Sequence, residues 1–198
     1  MVILPLSYLP SVEWFAWLKQ GNAVIDMGEH YIKRSERNRA RILAPNGVMD
    51  LTVQVAHANR PRQPMRDMLI DYSKRWQHQH WGAFVSAYKG SPYFEYYADL
   101  FEPFYRKEWK FLVDYNLRLI EILCREAALP MPSLSSDYIV AGEEDIDLRP
   151  KIKKGSTFVA EPYIQVFSDR MDFIPNLSFV DLFFAEGPSS ASVLDACL

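Results

Sequence analysis

The chain has 198 residues, of which 49% are hydrophobic and 24% charged, and its formal net charge is −3. This length predicts one domain, and the composition excludes a disordered chain because enough apolar side chains are present to build a core. A mildly acidic protein is not expected to bind nucleic acid, since that function usually needs a basic domain.

Neither the N-terminus nor the cysteines indicate a special compartment. No apolar run reaches the ~20 residues that span a bilayer, and residues 1–10 lack the charged region of a signal peptide, so we expect a cytoplasmic protein without a membrane span. Cys124 and Cys197 are not at C-x-x-C spacing. They predict one buried thiol and one loose thiol near the C-terminus.

Residues 1–30 predict a compact βαβ unit. An apolar run at 2–6 predicts a buried strand, Ser11 is suited to cap the helix that follows, and Gly21 is placed to end it. A second apolar strand is predicted at 23–27. In open α/β sheets, ligands bind beyond the carboxyl ends of the strands. That rule places five polar side chains on one edge of the sheet: Ser7, Tyr8, Asp26, Glu29 and His30.

The strongest chemical feature is the basic segment 29–41, which holds five Lys or Arg residues and two Glu in an acidic protein. Guanidinium groups suit bidentate contacts with phosphate or carboxylate, so the segment predicts a site for a small anion. The alternative is a solvated strand face whose arginines pair with nearby glutamates. Side chains alternate along a strand, which puts three arginines on one face: Arg37, Arg39 and Arg41.

A β-hairpin follows this segment. Residues 37–44 predict its first strand and residues 51–55 its second. Asn46-Gly47 between two such runs is a hairpin signal, with a loop longer than two residues.

The rest of the chain predicts mainly helices. A loop is predicted at 56–67, a linker at 130–136 and an irregular charged segment at 137–154. Helices are predicted at 74–89, 93–105, 109–129 and 176–185, and short strands at 68–72 and 162–167.

Together these elements predict an α/β fold with a mixed, partly parallel sheet. The sheet combines the N-terminal βαβ unit with the hairpin, and a helical lobe packs on it. Residues 1–188 are expected to form a single domain, and residues 189–198 a flexible C-terminal tail.

Several motifs occur in a fixed order along the chain. They are SYLPSVEWFAWL, EHYIKRSERNRARI, LTVQV, SKRWQHQHWGAFVSAYKGSPYFEYY, DLRPKI, PYIQVF and FIPNLSFVDLFFAEGP. In this order they resemble the WbqC-like family over nearly the whole chain. The chain departs from the family pattern at Gln54, where relatives often have proline, and at Leu4-Pro5, where many have Gln-Pro.

The resemblance implies a place in bacterial surface polysaccharide biosynthesis of the O-antigen type. It also implies transfer of an amino acid such as glycine, or another acyl group, onto a sugar. The expected ligand is an anionic sugar or nucleotide-sugar, and the resemblance names no cofactor.

The family motif narrows the expected anion site to Arg37, Asn38 and Arg39, with Lys33 nearby, and leaves Arg41 outside. These residues are expected to hold a phosphate or carboxylate group of the substrate.

Asp26, Glu29 and His30 are expected to supply acid/base chemistry. A carboxylate beside an imidazole forms a plausible general base, because histidine titrates near neutrality. The alternative is local ion pairing with Lys33 and Arg34.

His78 and His80 lie in the predicted helix 74–89. Positions i and i+2 of a helix point about 200° apart, so the two rings cannot share a metal, and no HExxH spacing is present. We therefore expect no metal site. The family resemblance favours His80 as a catalytic candidate, although a histidine on a helix is more often structural.

Three further residues are candidates for substrate binding. Tyr8 lies at the predicted sheet edge, and Tyr93 follows the turn at Pro92, which puts it at a pocket rim. Asn176 stands near the start of the last predicted helix, where backbone amides bind anions. Core packing explains Tyr93 as well, and helix capping explains Asn176.

The predicted function is an acyl- or aminoacyl-transferase acting on a sugar or nucleotide-sugar. One alternative is a binding protein for a glycan or nucleotide-sugar with no chemistry of its own. Another is a nucleotidyltransferase-like enzyme, which the early strand–loop–helix unit suggests but which lacks the expected H-x-G-H motif.

Overall fold

The structure is a computed structural model and describes residues 1–56, 61–150 and 155–198. The predicted loop 56–67 and the predicted irregular segment 137–154 lie partly outside these residues. In chain order the strands and helices are β1 (Val2–Leu4), α1 (Val12–Lys19), β2 (Ala23–Asp26), β3 (Arg39–Ala44), β4 (Gly47–Thr52), α2 (Trp76–Tyr88), α3 (Phe94–Phe101), α4 (Leu112–Glu126), β5 (Ser133–Ser135), β6 (Ile146–Asp147), α5 (Phe179–Glu186) and α6 (Ser190–Asp195).

The fold is mixed α/β, as predicted, with a parallel sheet in the order β5-β2-β1-β6. Val2 in β1 pairs with Ala23 in β2 and with Ile146 in β6. Val24 in β2 pairs with Ser133 in β5. The predicted unit β1-α1-β2 is present, and pairing in β1 ends just before Pro5 because proline cannot donate to a ladder.

The two outer strands of the sheet were not predicted. β5 lies in the predicted linker 130–136, and β6 lies in the predicted irregular segment 137–154. The predicted strands at 68–72 and 162–167 are wrong. The first forms only isolated bridges, and the second has no strand pairing in the described structure.

The hairpin β3–β4 pairs from Arg39 with Thr52 to Ala44 with Gly47. Its turn therefore contains only Pro45 and Asn46, so the expectation of a longer loop is wrong. Gly47 has a φ of +112°, which favours glycine because that backbone region clashes with a Cβ atom. β3 begins at Arg39, two residues later than predicted.

One hydrophobic core joins the sheet to the helices. Its largest fully buried side chains include Trp14 of α1, Trp76 of α2 and Phe183 of α5. Burial of each such side chain contributes about 1.5–3 kcal/mol or more to folding. The described part of the chain contains no helix with the length and apolarity needed to cross a membrane.

Residues 189–198, which the sequence predicts as a flexible tail, contain the helix α6 in the structure. Leu194 and Cys197 are buried, and Lys19 of α1 pairs with Asp195 at 2.5 Å. Helix α6 packs on α1. Cys197 is therefore a buried thiol, as is Cys124.

Candidate functional site

A buried cluster of charged side chains lies just beyond the carboxyl ends of β1, β2 and β6. All its members are less than a tenth exposed. We call these residues the buried charge cluster: Asp26, Glu29, Arg37, Asp147 and Arg149.

Glu29 holds Arg37 in this cluster. One carboxylate oxygen pairs with Arg37 Nη2, and the other accepts a hydrogen bond from the Leu6 backbone at 3.3 Å. Arg37 also donates to the Arg149 carbonyl from both terminal nitrogens, at 3.1 and 3.2 Å. Burial raises the pKa of Glu29, although the Arg37 charge opposes it.

Arg149 is held by two carboxylates. Its Nε and Nη2 atoms donate hydrogen bonds of 2.9 and 2.7 Å to the two carboxylate oxygens of Asp147. Its third nitrogen, Nη1, pairs with Asp26. Burial acts to raise the pKa of Asp147, but the hydrogen bonds and charge of Arg149 outweigh burial and lower that pKa. Asp26 and Glu29 are therefore engaged in fixing two arginines.

The two fixed arginines form part of the wall of a cavity of about 450 Å³. The acidic residues in its lining are Glu36 and Asp50. We call it the arginine pocket after five lining residues: Arg34, Arg37, Arg39, Arg41 and Arg149.

The five arginines differ in how far their charge is already neutralised. Arg37 and Arg149 belong to the buried charge cluster, and Arg39 pairs with Asp50 at 3.1 Å. Within the described ranges, Arg34 and Arg41 form no ion pair. The Nε atoms of Arg37 and Arg39 are buried without an acceptor among those residues. The pocket therefore has both free positive charge and unused donors.

A smaller cavity of about 70 Å³ adjoins the arginine pocket. The two share Glu36, Arg39 and Arg41 as lining residues. Tyr8 and Asn176 line the smaller cavity, so the structure brings these two predicted residues alongside Arg39.

Tyr8 connects this cavity to His80 on α2. The Tyr8 hydroxyl lies 3.0 Å from His80 Nδ1 and 2.9 Å from the Tyr105 hydroxyl. Burial lowers the pKa of His80 to about 4, although a hydrogen bond to the Thr52 backbone acts to raise it. Burial also raises the pKa of Tyr8. Both side chains are neutral at pH 7, so the pair offers oriented hydrogen bonds.

Asn176 lies before α5, not inside the last helix. Its side-chain oxygen accepts a hydrogen bond from the Glu13 backbone at 3.0 Å, and its amide donates to the Glu13 carboxylate at 3.1 Å. It therefore caps α1 from a distance of 163 residues in sequence. Ser11, the expected cap, makes no side-chain capping bond.

Asn38 stabilises the fold by a hydrogen bond within the protein. It is buried, and its amide donates to the Val53 carbonyl at 2.9 Å, which ties the basic segment to the end of the hairpin. Asn38 does not line the arginine pocket.

His30, Lys33 and Tyr93 lie outside the lining of the arginine pocket. The His30 side chain is exposed, and in the described structure its ring is not hydrogen-bonded to Asp26 or Glu29. Lys33 is exposed on the same loop. The Tyr93 ring lies against Gly187, where an added Cβ would come within 2.5 Å of it.

Sequence analysis missed two important parts of this site. Arg149 lies in the DLRPKI motif of the family resemblance, yet that motif alone did not indicate a contact with Asp26. Arg41 lies outside the family motif, so the motif favours Arg37 over Arg41 as a site residue. Strand alternation was the signal for Arg41, since Arg39 and Arg41 both line the arginine pocket.

Comparison with known proteins identifies one family and one relative. The sequence model of the WbqC-like protein family matches residues 7–155. The uncharacterized protein Rv1507c of Mycobacterium tuberculosis (strain ATCC 25618 / H37Rv) is 35% identical over 128 residues, which is 63% of this chain and 54% of that protein. The match thus spans about half the length of that relative. No solved structure matches the chain.

Proposed function

The chain belongs to the WbqC-like protein family, and on that premise we propose that its arginine pocket binds the anionic group of a sugar phosphate or nucleotide-sugar. The bound sugar then accepts an acyl or aminoacyl group, such as glycyl, during assembly of a surface polysaccharide. The proposal assigns binding to the pocket and acyl transfer to the sugar held beside it.

The observation that carries the binding proposal is the unequal pairing of the five arginines. Arg34 and Arg41 are exposed and lack ion-pair partners in the described structure. Two positive charges suit a phosphate or diphosphate group, and charge-assisted hydrogen bonds to such a group contribute about 1.5–3 kcal/mol each. Glu29, Asp26 and Asp147 support the binding by fixing the pocket wall.

Acyl transfer from an activated aminoacyl ester requires an amine or hydroxyl of the sugar to attack the acyl carbonyl carbon. The ester C–O bond then breaks, and the departing alkoxide takes up the proton that the attacking group loses. Tyr8 lines the smaller cavity together with Arg39, and its hydroxyl is held in a fixed position by a hydrogen bond with His80. We assign to this pair the orientation of the attacking group, since orientation alone lowers the barrier of such reactions substantially.

Calorimetry with pyrophosphate and with UDP-glucose tests the binding proposal. Arg41→Ala should weaken both affinities by about tenfold, because it removes a charged donor from the pocket. Arg118→Ala is the matched control, since Arg118 is exposed on α4 and pairs with Glu121 away from the pocket. Absence of binding in the wild type, or an equal loss in the control, contradicts the proposal.

A binding protein without chemistry is the second candidate function. It is favoured because Asp26 and Glu29, the expected acid/base carboxylates, are paired with arginines. Incubation of the protein with a bound nucleotide-sugar and an activated aminoacyl ester separates the two candidates. Mass spectrometry detects an acylated sugar if the protein is a transferase, and unchanged sugar if it only binds.

A further inference from the structure

A third cavity, of about 560 Å³, lies between β4 and α2. We call it the α2 pocket. It is lined by the hairpin on one side and by the first three turns of α2 on the other. It is large enough for a small-molecule site, for which volumes of about 300–1,000 Å³ are typical.

The chemistry of the α2 pocket is the opposite of that of the arginine pocket. Its described lining contains no Lys or Arg, and Asp50 is its charged residue. The remaining polar groups are neutral. They come from Thr52, Gln54, Gln79 and Ser86. His80 also lines the pocket, and its low pKa keeps the ring uncharged at pH 7, but the ring is already hydrogen-bonded to Tyr8 and to the Thr52 backbone.

This set of groups suits the hydroxyls of a sugar. Each sugar hydroxyl both donates and accepts hydrogen bonds, and amides, hydroxyls and a carboxylate supply both kinds of partner. A phosphate or carboxylate is disfavoured there, because only Asp50 carries charge and its charge is negative. The apolar side chains of the lining are Met49, Leu51, Trp76 and Ala83.

The two pockets adjoin at Asp50. This residue lines both cavities, and its carboxylate accepts a hydrogen bond from Arg39 at 3.1 Å. Asp50 is also the cross-strand partner of Arg41. Neighbouring strands lie about 4.8 Å apart, so a ligand anchored at Arg41 needs to cross only one strand to enter the α2 pocket.

We propose that the α2 pocket binds an uncharged glycosyl unit of the same ligand whose phosphate groups lie in the arginine pocket. This inference rests on the proposed function and deepens it, because it assigns a separate subsite to the sugar. The hairpin then separates an anion subsite from a sugar subsite.

Gly82 offers a way to close the α2 pocket without unfolding the protein. It lines the pocket in the exposed face of α2, and an added Cβ there meets nothing within 4 Å. Gly82→Leu therefore extends into open space and reduces the pocket, while leucine favours a helix more than glycine does. Gly82→Ala is the size control, and Gly90→Leu makes the same change in open space outside the α2 pocket.

The experiment measures the affinity of each variant by calorimetry for four probes: pyrophosphate, UDP, UDP-glucose and UDP-N-acetylglucosamine. We expect Gly82→Leu to weaken binding of at least one UDP-sugar by about tenfold or more. Its affinity for pyrophosphate and UDP should stay within twofold of wild type, as should all affinities of the two controls. Thermal unfolding checks that each variant is folded.

Two results overturn the inference and leave the anion site standing. In one, Gly82→Leu binds both UDP-sugars as tightly as wild type. In the other, it loses UDP and UDP-sugars equally, which would place the nucleoside in the α2 pocket. If the wild type binds none of the four probes, the proposed function fails together with the inference.

Discussion

Arginines in two positions around one pocket behave differently. Arg37 and Arg149 are buried and paired with carboxylates, whereas Arg34 and Arg41 are exposed and have no ion-pair partner in the described structure. The first two have their charge neutralised and so build the wall. The second two keep an unpaired charge. Pairing with carboxylates, more than residue type, therefore decides which of these arginines retain a charge that a ligand could use.

The largest expected loss of stability comes from removing a carboxylate that pairs with a buried arginine of the pocket wall. Glu29→Ala leaves Arg37 buried without a counter-charge, and arginine cannot lose its proton, so we expect the free energy of unfolding to fall by about 3–5 kcal/mol. Arg37→Ala should have a smaller effect, because Glu29 can take up a proton. Urea denaturation of both variants measures the difference. Equal losses in the two variants contradict this asymmetry.

The next largest effect is a pH dependence of stability that arises because His80 is buried without a counter-charge. In the unfolded chain His80 takes up a proton near its ordinary pKa of 6.5, but in the folded chain only near pH 4. Its contribution to stability is therefore present above pH 6.5 and is lost as the pH falls to about 4. The loss should reach about 3 kcal/mol.

Urea denaturation between pH 7 and pH 4 checks the His80 contribution. His80→Gln removes the titration and keeps a group that can hydrogen-bond Tyr8, so its stability should depend less on pH. His78→Gln is the control, because His78 is exposed on the same helix. If both variants show the wild-type pH dependence, the burial argument for His80 is wrong.

The third prediction tests whether Asn176, which lies beside the arginine pocket, stabilises the fold without binding the ligand. Both amide atoms of Asn176 are used on Glu13, so Asn176→Ala should cost about 1–2 kcal/mol of stability with little change in pyrophosphate affinity. Asn176 has a φ of +53°, and Asn176→Gly removes the cap but tolerates that backbone. An alanine variant as stable as wild type would show that capping contributes nothing.

The smallest expected effect on stability is at the open arginines. Arg34→Ala and Arg41→Ala should each change the free energy of unfolding by less than about 0.5 kcal/mol, as is usual for surface substitutions. If urea denaturation shows a loss of more than about 1 kcal/mol in the free energy of unfolding, these arginines stabilise the fold as Arg37 and Arg149 do. The proposed difference between the two kinds of arginine is then wrong.

Elements with local signals were predictable from sequence. The βαβ unit follows from two apolar runs separated by a helix that ends near Gly21, and the hairpin follows from Asn46-Gly47. β5 and β6 were not predictable, because SLS and ID carry no apolar pattern. These strands exist because they pair with residues more than a hundred positions away.

The sequence predicted only those features of the candidate site that depend on neighbouring residues in the chain. The basic segment indicated an anion site, but a charge pattern does not reveal burial. Arg37 and Arg41 look alike in sequence, and only the tertiary contacts of Arg37 with Glu29 and with the Arg149 carbonyl show that it is the buried one. In the same way, the packing of α6 on α1 depends on tertiary contacts that residues 189–198 do not signal.

The parallel pairing of β1 has a consequence for the order of folding. Val2 pairs with Ala23, 21 positions away, and with Ile146, 144 positions away. Closing the longer loop costs about 2 kcal/mol more in chain entropy, so the βαβ unit is expected to form first and β6 to join late. Arg149 arrives with β6, and an intermediate without it lacks part of the wall of the arginine pocket. The proposed phosphate-bearing ligand is therefore expected to bind only chains in which β6 has joined the sheet.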